Sequence, residues 1–474
     1  MQSLSIPAAT DGHRIWLRVG TLLDGVSLTP LRNAHIVYDR KEIRYVGENS
    51  PPAELLAPNQ RQPDLDLPDG TLLPGLIEAH AHFFLEGGEL NADKRAAYLK
   101  QTPEELLKLA QPRLEKLVRL GIIAVRDAGD KDGVGLAIAK MYNRAGAVPV
   151  FPLSSPKGGE GRGEVALDSP DQIPSPRLGG ERESKTVPGC LGTNRPLMPY
   201  VDSPGAAIHH QGRYGSFMAD PLENYGSLEK CVEARVKAGA YRIKLIPTGI
   251  INFKKGAVTA EPQMTTEEVS RLVAAAKSFG KQTFAHASGD TGIDRVLDGG
   301  ADSVEHGFFV RDDQLAKMRD RQIAWVPTFA PVQEQVDHAD IMGWDAEVVG
   351  NLNAILDQHA ASLVKGHQMG VQIIAGSDAG SYGVAHGLGF YYELELMERA
   401  GLSPLVVINA ATGAPSNRLG FGEKFGQIKA GYQSRFILTR HSPLETVSNL
   451  RKHKWVVFDG EVLETGESPD TTGL

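Results

Sequence analysis

The chain has 474 residues, 41% hydrophobic and 23% charged, with 52 glycines and 29 prolines, a composition that excludes a wholly disordered chain and a fibre. A formal net charge of -8 provides no broad cationic surface, so neither nucleic acid nor an anionic membrane is an expected partner. Two cysteines, Cys190 and Cys231, are too few for a disulfide framework. No window approaches the roughly 20 apolar residues of a membrane span. The opening MQSLSIPAATDGHRIWLRVG lacks the basic start and apolar core of a secretory signal, so a cytoplasmic protein is the expectation.

From Arg14 to Gly47 short apolar and polar bursts alternate in RIWLRVGTLLDG and AHIVYDRKEIRYVG, the pattern of strands and hairpins. The same pattern returns in QIKAGYQSRFILTRH and HKWVVFDGEVLETG, and the two terminal pieces are expected to pair as one small β domain. Between them, short apolar runs alternate with helical patterns, which predicts βα units around a parallel sheet. In order the runs are LLPGLIEAHAHF, GIIAVRDAG, a disturbed third around MPYVDSPGAAIHH, YRIKLIPTG, QTFAHASG, ADSVEHGFF, IAWVPTFAP and VQIIAGSDAG. Eight such runs match the strand number of a (β/α)8 TIM barrel. Helices are expected at TPEELLKLAQPRLEKLVRLG, SLEKCVEARVKAG and TTEEVSRLVAAAKSFG, each followed by a glycine suited to a left-handed cap.

Residues 154–194 break the pattern. Their text is rich in Pro, Gly, Ser and charge, and SPKGGEGRGE and SPRLGGERES look like imperfect copies of one another. A solvated, disordered surface insertion is expected there, of the kind that folds tolerate at little entropic cost.

The most informative text is PGLIEAHAH at Pro74 to His82. Residues two apart in a strand share a side, so His80 and His82 can present both imidazoles to one metal ion. The other candidates each end an apolar run: Lys244 in IKLIPTG, His286 in FAHA, His306 in VEHG and Asp378 in AGSDAG. A charged lysine inside an apolar strand is costly unless it is paired or modified. Taken singly, a buried His is usually a hydrogen-bonded core residue and a strand-end Asp a helix cap. The C-terminal strand ends of a barrel meet at one mouth, so these dispersed residues can converge there as a metal site.

The ordered set His-x-His, Lys, His, His, Asp resembles the amidohydrolase superfamily. LPGLIEAHAHF, GIIAVRDAG, the late EHG, GSDAG and YYELELMERAGLSPLVVINAATGAPSNRLG are most similar to its branch of imidazolonepropionase-like proteins and metal-dependent Xaa-Pro dipeptidases. The resemblance implies a metal-hydrolase barrel over residues 74–413 and a β-sandwich built from residues 1–73 and 414–474. It implies that His80, His82 and Asp378 bind one divalent ion and His286 and His306 a second, with Lys244 bridging both as an N-carboxylated lysine. Zinc is the expected metal, with manganese and cobalt as alternatives that ligand type does not separate. Hydroxide formed at the metal would attack the amide of a small substrate, a dipeptide, an Xaa-Pro dipeptide or an N-acyl amino acid, with Asp378 accepting and returning the proton. The alternatives are a mononuclear cyclic amidohydrolase or deaminase, and a non-catalytic scaffold; whether the chain forms a homo-oligomer stays open.

Five further residues are candidate substrate contacts. In AIHHQGRYG, Arg213 could hold a substrate carboxylate, His209 or His210 the amide, and Tyr214 lies beside them; His386 follows the Asp378 strand. Arg126 and Asp127 are expected to brace the barrel mouth, and Glu78, where relatives usually carry Asp, to support His80 from behind. AGYQSRFILTRH departs from the family's Gly-x-x-Ala-Asp text in the sandwich. Deleting residues 154–194 is expected to leave folding and metal loading intact, to be checked by circular dichroism and elemental analysis; loss of folded, metal-loaded protein would make the segment structural.

Overall fold

The strand-like text at the two chain ends comes together in one sheet. A computed structural model describes residues 6–10, 12–143 and 196–466; the segment read as an insertion, with Cys190, lies outside them. The N-terminal strands are β1 (Ile15–Leu22), β2 (Leu31–Tyr38), β3 (Ile43–Gly47) and β4 (Leu65–Pro74). Seven central strands follow: β5 (Leu76–Ala81), β6 (Ile122–Asp127), β7 (Tyr200–Asp202), β8 (Ile243–Leu245), β9 (Thr283–Ala287), β10 (Ser303–His306) and β11 (Ala324–Val326). The last are β12 (Arg435–Thr439), β13 (Lys454–Phe458) and β14 (Glu461–Thr465).

The terminal strands form a seven-stranded sheet in the order β14-β13-β12-β4-β1-β2-β3. The two chain ends join where β4 and β12 pair antiparallel, from Phe436 opposite Pro74 to Thr439 opposite Thr71. Alternate residues supply its own apolar cluster, with Ile15, Leu17 and Val19 packed with Ile36, Tyr38, Phe436, Leu438 and Trp455.

The central strands form two parallel sheets, β5-β6-β7 and β11-β10-β9-β8. Single parallel bridges at Ile208 with Leu245, Trp325 with Ile373 and Ala81 with Ala379 run between them. The eighth expected strand, VQIIAGSDAG, is not a continuous strand. It meets its neighbours through separate hydrogen bonds, Ile374 N to Trp325 O (2.9 Å), Ala79 N to Ala375 O (3.1 Å) and Asp378 N to His80 O (2.7 Å). The cause is local: Asp378 takes a left-handed φ of 56°, and a Cβ at Gly376 would stand 2.9 Å from His80 N and Cβ. The backbone passes so close to β5 that only glycine fits, and it then turns out of extended geometry.

The expected helices form with the stops and starts their sequences specify. Pro103–Arg119 begins in a capping box between Thr102 and Glu105 and buries Leu106, Leu107, Ala110, Leu114, Leu117 and Val118 against the sheet. Leu228–Ala238 starts at Ser227 and stops at Gly239, which is left-handed; Thr266–Ser278 starts in a second capping box at Thr265. Among the described residues no helix is long and apolar enough to cross a membrane, and Cys231 is buried and free.

A buried ion pair ties the third strand to the fourth. Arg242, next to β8, holds both carboxylate oxygens of Asp202 in β7 and also donates to the Leu419 carbonyl at 2.8 Å. Removing one member of a buried pair leaves an uncompensated charge, so Asp202→Ala should destabilise the fold by about 3–5 kcal/mol. Urea denaturation reads this directly, and an unchanged midpoint would show that the pair carries no structural load.

Candidate active site

Strand ends carry the chemistry. His80 ends the run of β5 with His82 just beyond it, Lys244 lies within β8, His286 within β9, His306 ends β10, and Asp378 sits in the turn after Ala375; all six are buried. The structure brings them together. Asp378 Oδ1 stands 3.6 Å from His80 Nε2 and 3.4 Å from His82 Nε2. The rings of His80 and His306 are 5.0 Å apart and those of His286 and His306 4.5 Å. The donor atoms of His80, His306 and Asp378 all fall within 4.8 Å of one another.

Hydrogen bonds behind the rings decide which nitrogen faces the cluster. His80 Nδ1 is 2.6 Å from Glu305 Oε2, an acceptor, so Nδ1 carries the proton and Nε2 offers a lone pair. His82 Nδ1 faces the Gly129 carbonyl at 3.1 Å, with the same result. The Thr328 hydroxyl gives its own hydrogen to the Pro327 carbonyl (2.8 Å), so at 2.7 Å it can only accept from His306 Nδ1. His286 is reversed: Nε2 faces the Gly249 carbonyl at 3.2 Å, which leaves Nδ1 as its lone pair. Burial holds all four imidazoles below their ordinary range, His82 and His286 down to about 3, so they are neutral near pH 7.

The Nε2 lone pairs of His80 and His82 thus stand beside the Asp378 carboxylate, with the rings of His306 and His286 packed next to them. Asp378 Oδ2 accepts from Ser381 Oγ at 3.0 Å, but Oδ1 is buried without a hydrogen-bond partner. Such an acceptor set calls for a cation. Ligands about 2.0–2.1 Å from a tetrahedral zinc-sized ion stand roughly 3.4 Å apart, which the spacing of Asp378 to His80 and His82 approaches. The residues present therefore fit a divalent metal. Burial also pushes Asp378 up to about 7 and pulls Lys244 down to about 8. Among the described residues Lys244 forms no ion pair; its Nζ lies 4.7 Å from the centre of the Phe284 ring.

Glu305, beside His306, supports the centre and went unread in the sequence. It accepts from Arg126 Nη2 (2.7 Å) and Ser303 Oγ (2.6 Å) as well as from His80. The signal for it was present: a carboxylate inside the apolar run SVEH is as costly as the lysine in IKL. Arg126 braces the site as expected, donating to Ala79 O at 2.6 Å. Asp127 accepts from Ser203 Oγ at 2.7 Å. Glu78 accepts the backbone N–H groups of His80 and Ser377, both at 3.0 Å, and thereby joins the strand that carries His80 to the turn that carries Asp378.

Of the five expected substrate contacts, one reaches the cluster by ring contact: Tyr214 lies 5.3 Å from His286, and burial raises its phenol pKa. The other four are engaged elsewhere. His209 has a carbonyl on each ring nitrogen, His210 O at 2.8 Å and Ala219 O at 3.0 Å. His210 pairs with Glu223 at 2.7 Å. Arg213 is exposed and donates to the Glu261 carbonyl. His386 binds the Leu85 carbonyl at 2.9 Å and stacks on Phe83, one loop behind His82.

Residues 71–463 match the model of the amidohydrolase family. The chain belongs to that family. It is 26% identical to ochratoxinase of Aspergillus niger over 455 residues, which cover 95% of this chain and 86% of that protein. A crystal structure of a Xaa-Pro dipeptidase with bound methionine superposes with a TM-score of 0.70 at 24% identity, covering 96% of this chain and all of that one. The A. niger ochratoxinase crystal structure gives 0.70 at 21% identity, covering 97% of each chain. The fold is accordingly of the α/β amidohydrolase type, and this amidohydrolase acts on carbon–nitrogen bonds of a small molecule.

The hydrogen bond from His80 to Glu305 should tune the metal site. Glu305→Gln is expected to weaken divalent-metal binding by about 10–100-fold, the usual cost of losing a carboxylate partner behind a ligating histidine. Competition with a chromogenic chelator measures it, and unchanged affinity would show that Glu305 serves packing alone.

Proposed function

We propose that this amidohydrolase cleaves the amide bond of a small N-acyl amino acid or dipeptide, Xaa-Pro dipeptides included, at a binuclear metal centre. His80, His82 and Asp378 would hold one ion and His286 and His306 the other, with an N-carboxylated Lys244 bridging them. In this reading the two parallel sheets, seven strands together, and the eighth segment VQIIAGSDAG work as one barrel, residues 74–413, and the terminal sheet as the β-sandwich of residues 1–73 and 414–474. The observation that carries the metal assignment is the set of four neutral imidazoles, each with its outward nitrogen already committed as a donor. The names of the relatives, ochratoxinase and Xaa-Pro dipeptidase, support amide hydrolysis.

Lys244 suits modification. At about 8 its pKa leaves a neutral amine fraction near pH 7, which can add to CO2; the N–C bond forms, a proton leaves, and the side chain turns from cation to carboxylate. The bound divalent ions would acidify a water molecule and polarise the substrate carbonyl. Asp378, with Oδ2 steadied by Ser381 and Oδ1 unpaired, is placed to take the water's proton and return it to the departing nitrogen. Tyr214, kept protonated by burial, can donate to the carbonyl oxygen as negative charge develops there. All six polar residues are buried, which limits the water that reaches them.

A second reading, a mononuclear cyclic amidohydrolase or deaminase, draws on the fact that His80, His306 and Asp378 alone already share one ion's reach. Metal analysis separates the two: the binuclear reading expects two divalent ions per chain, zinc first, and a bicarbonate-dependent gain of activity. His80→Ala should lower hydrolysis of N-acyl amino acids and dipeptides by more than the roughly 10–100-fold that loss of an outer partner costs, with folding unchanged by circular dichroism. Hydrolysis that survives His80→Ala would end this reading.

A further inference from the structure

Arg95 is a cation held against the turn that follows Asp378, and the reaction above does not use it. It belongs to the helix Ala92–Tyr98, in the connection that leaves the C-terminal end of β5. Its Nη2 donates to the Gly380 carbonyl at 2.9 Å, and its guanidinium lies 4.1 Å over the centre of the Tyr382 ring. Gly380 is itself pressed against the metal-ligand turn: a Cβ there would stand 2.7 Å from the His82 carbonyl oxygen. Arg95 is thus tied to a peptide that touches His82 and lies two residues from Asp378. Burial lowers its pKa, while Tyr382, Asp378 and Glu86 oppose that shift. The side chain is half-buried and remains a cation.

The position matters because of where a leaving group must go. Asp378 can return a proton only to a nitrogen within its reach. In an N-acyl α-amino acid that nitrogen is joined to the carboxylate through a single carbon, which puts the carboxylate carbon about 2.5 Å from it. The substrate's negative charge therefore arrives close to Asp378, and two carboxylates so near each other repel unless a cation stands beside them. Lys244, within β8, is assigned to the metal centre itself. Arg213, the cation the sequence suggested, is exposed and engaged with Glu261. Arg95 has five N–H donors in a planar fork, more than Gly380 and Tyr382 draw on, and stacking on Tyr382 fixes the plane in which a bidentate carboxylate would lie.

We infer that Arg95 is a specificity-determining residue that binds the free α-carboxylate of the amino acid being released. The inference rests on the reading that amide hydrolysis occurs at Asp378, and it narrows the substrate class to acyl amino acids and dipeptides with an unblocked C-terminus.

The test is calorimetric, on the full-length metal-loaded protein, with ligands that have no amide to cleave: N-benzyl-L-phenylalanine against N-benzyl-L-phenylalaninol, and the corresponding proline pair. The wild type should bind at least one acid about tenfold or more tightly than its alcohol, as one charge-assisted hydrogen bond requires. Arg95→Met should erase that preference while leaving alcohol affinity and metal content unchanged, and Arg95→Lys should restore part of it. Absence of any preference in the wild type, its survival in Arg95→Met, or equal loss of acid and alcohol binding would overturn the inference. Turnover of N-benzoyl-L-phenylalanine and N-benzoyl-L-proline is measured alongside: acid-selective binding without hydrolysis of any amide would defeat the proposed reaction and leave the carboxylate site standing.

Discussion

Glu305 has hydrogen bonds from three sides in a place that solvent does not reach: Arg126, Ser303 and His80 all donate to it. Toward Arg126 and Ser303 its carboxylate oxygens already act as acceptors. His80 Nδ1 must therefore be a donor, and its other nitrogen must present a lone pair to the cluster. A buried ion pair of this kind is poor evidence for stability, because desolvation cancels much of the attraction. Its worth is directional. Arg126 also binds the Ala79 carbonyl, so the same group that orients the Glu305 carboxylate holds the backbone of the strand that carries His80.

The same logic extends around the cluster and uses the backbone. His306, Thr328 and Asp378 all adopt left-handed φ values, 68°, 52° and 56°, each costing of order 1–3 kcal/mol for a residue with a side chain. Each is held there by more than one contact. His306 donates to Thr328 across two strand ends, and the carboxylate of Glu393 receives the N–H groups of Phe329 and Ala330 at 2.9 and 2.8 Å, which fixes the turn carrying Thr328. Asp378 is gripped through its N–H by His80 O and through its carboxylate by Ser381. Strand ends that must aim polar groups inward cannot also continue as extended ladder, so the eighth segment gives up strand geometry where it contributes Asp378.

Much of this was legible in the chain. The βα alternation, the glycines that follow the helices, the joining of the two terminal strand regions and the gathering of His80, His82, Lys244, His286, His306 and Asp378 follow from periodicity, turn residues and polar residues that end apolar runs. What was not legible depends on partners far away in sequence. Glu305 could be seen as an expensive charge, but nothing local says that it meets His80, 225 residues earlier. His209 and His210 look like site residues because the HH pair follows a strand, yet each finds its partners within a loop that folds back on itself. Arg95 sits in NADKRAAYLK, a polar helix whose pattern gives no sign that one arginine turns toward Gly380.

In the proposed metal centre, Lys244 is where charge would decide between one ion and two. As an ammonium it shares a sealed space with Arg126, and the acidic groups that act on it are Glu305, Asp378 and Asp127. A divalent ion seated on His80, His82 and Asp378 would repel that ammonium, and at the short range and low effective dielectric of a buried site the repulsion is worth kcal/mol. Loss of the lysine proton removes the repulsion; conversion to a carbamate reverses its sign and supplies a ligand whose two oxygens can face two ions. The neutral imidazoles cannot make this adjustment, since their outward nitrogens are already committed to Glu305, Gly129, Gly249 and Thr328. Asp378 alone would leave two ions poorly compensated in so buried a place. In the binuclear reading proposed above, a second ion on His286 and His306 would therefore favour a negatively charged Lys244, whereas a single ion would be served by a neutral one.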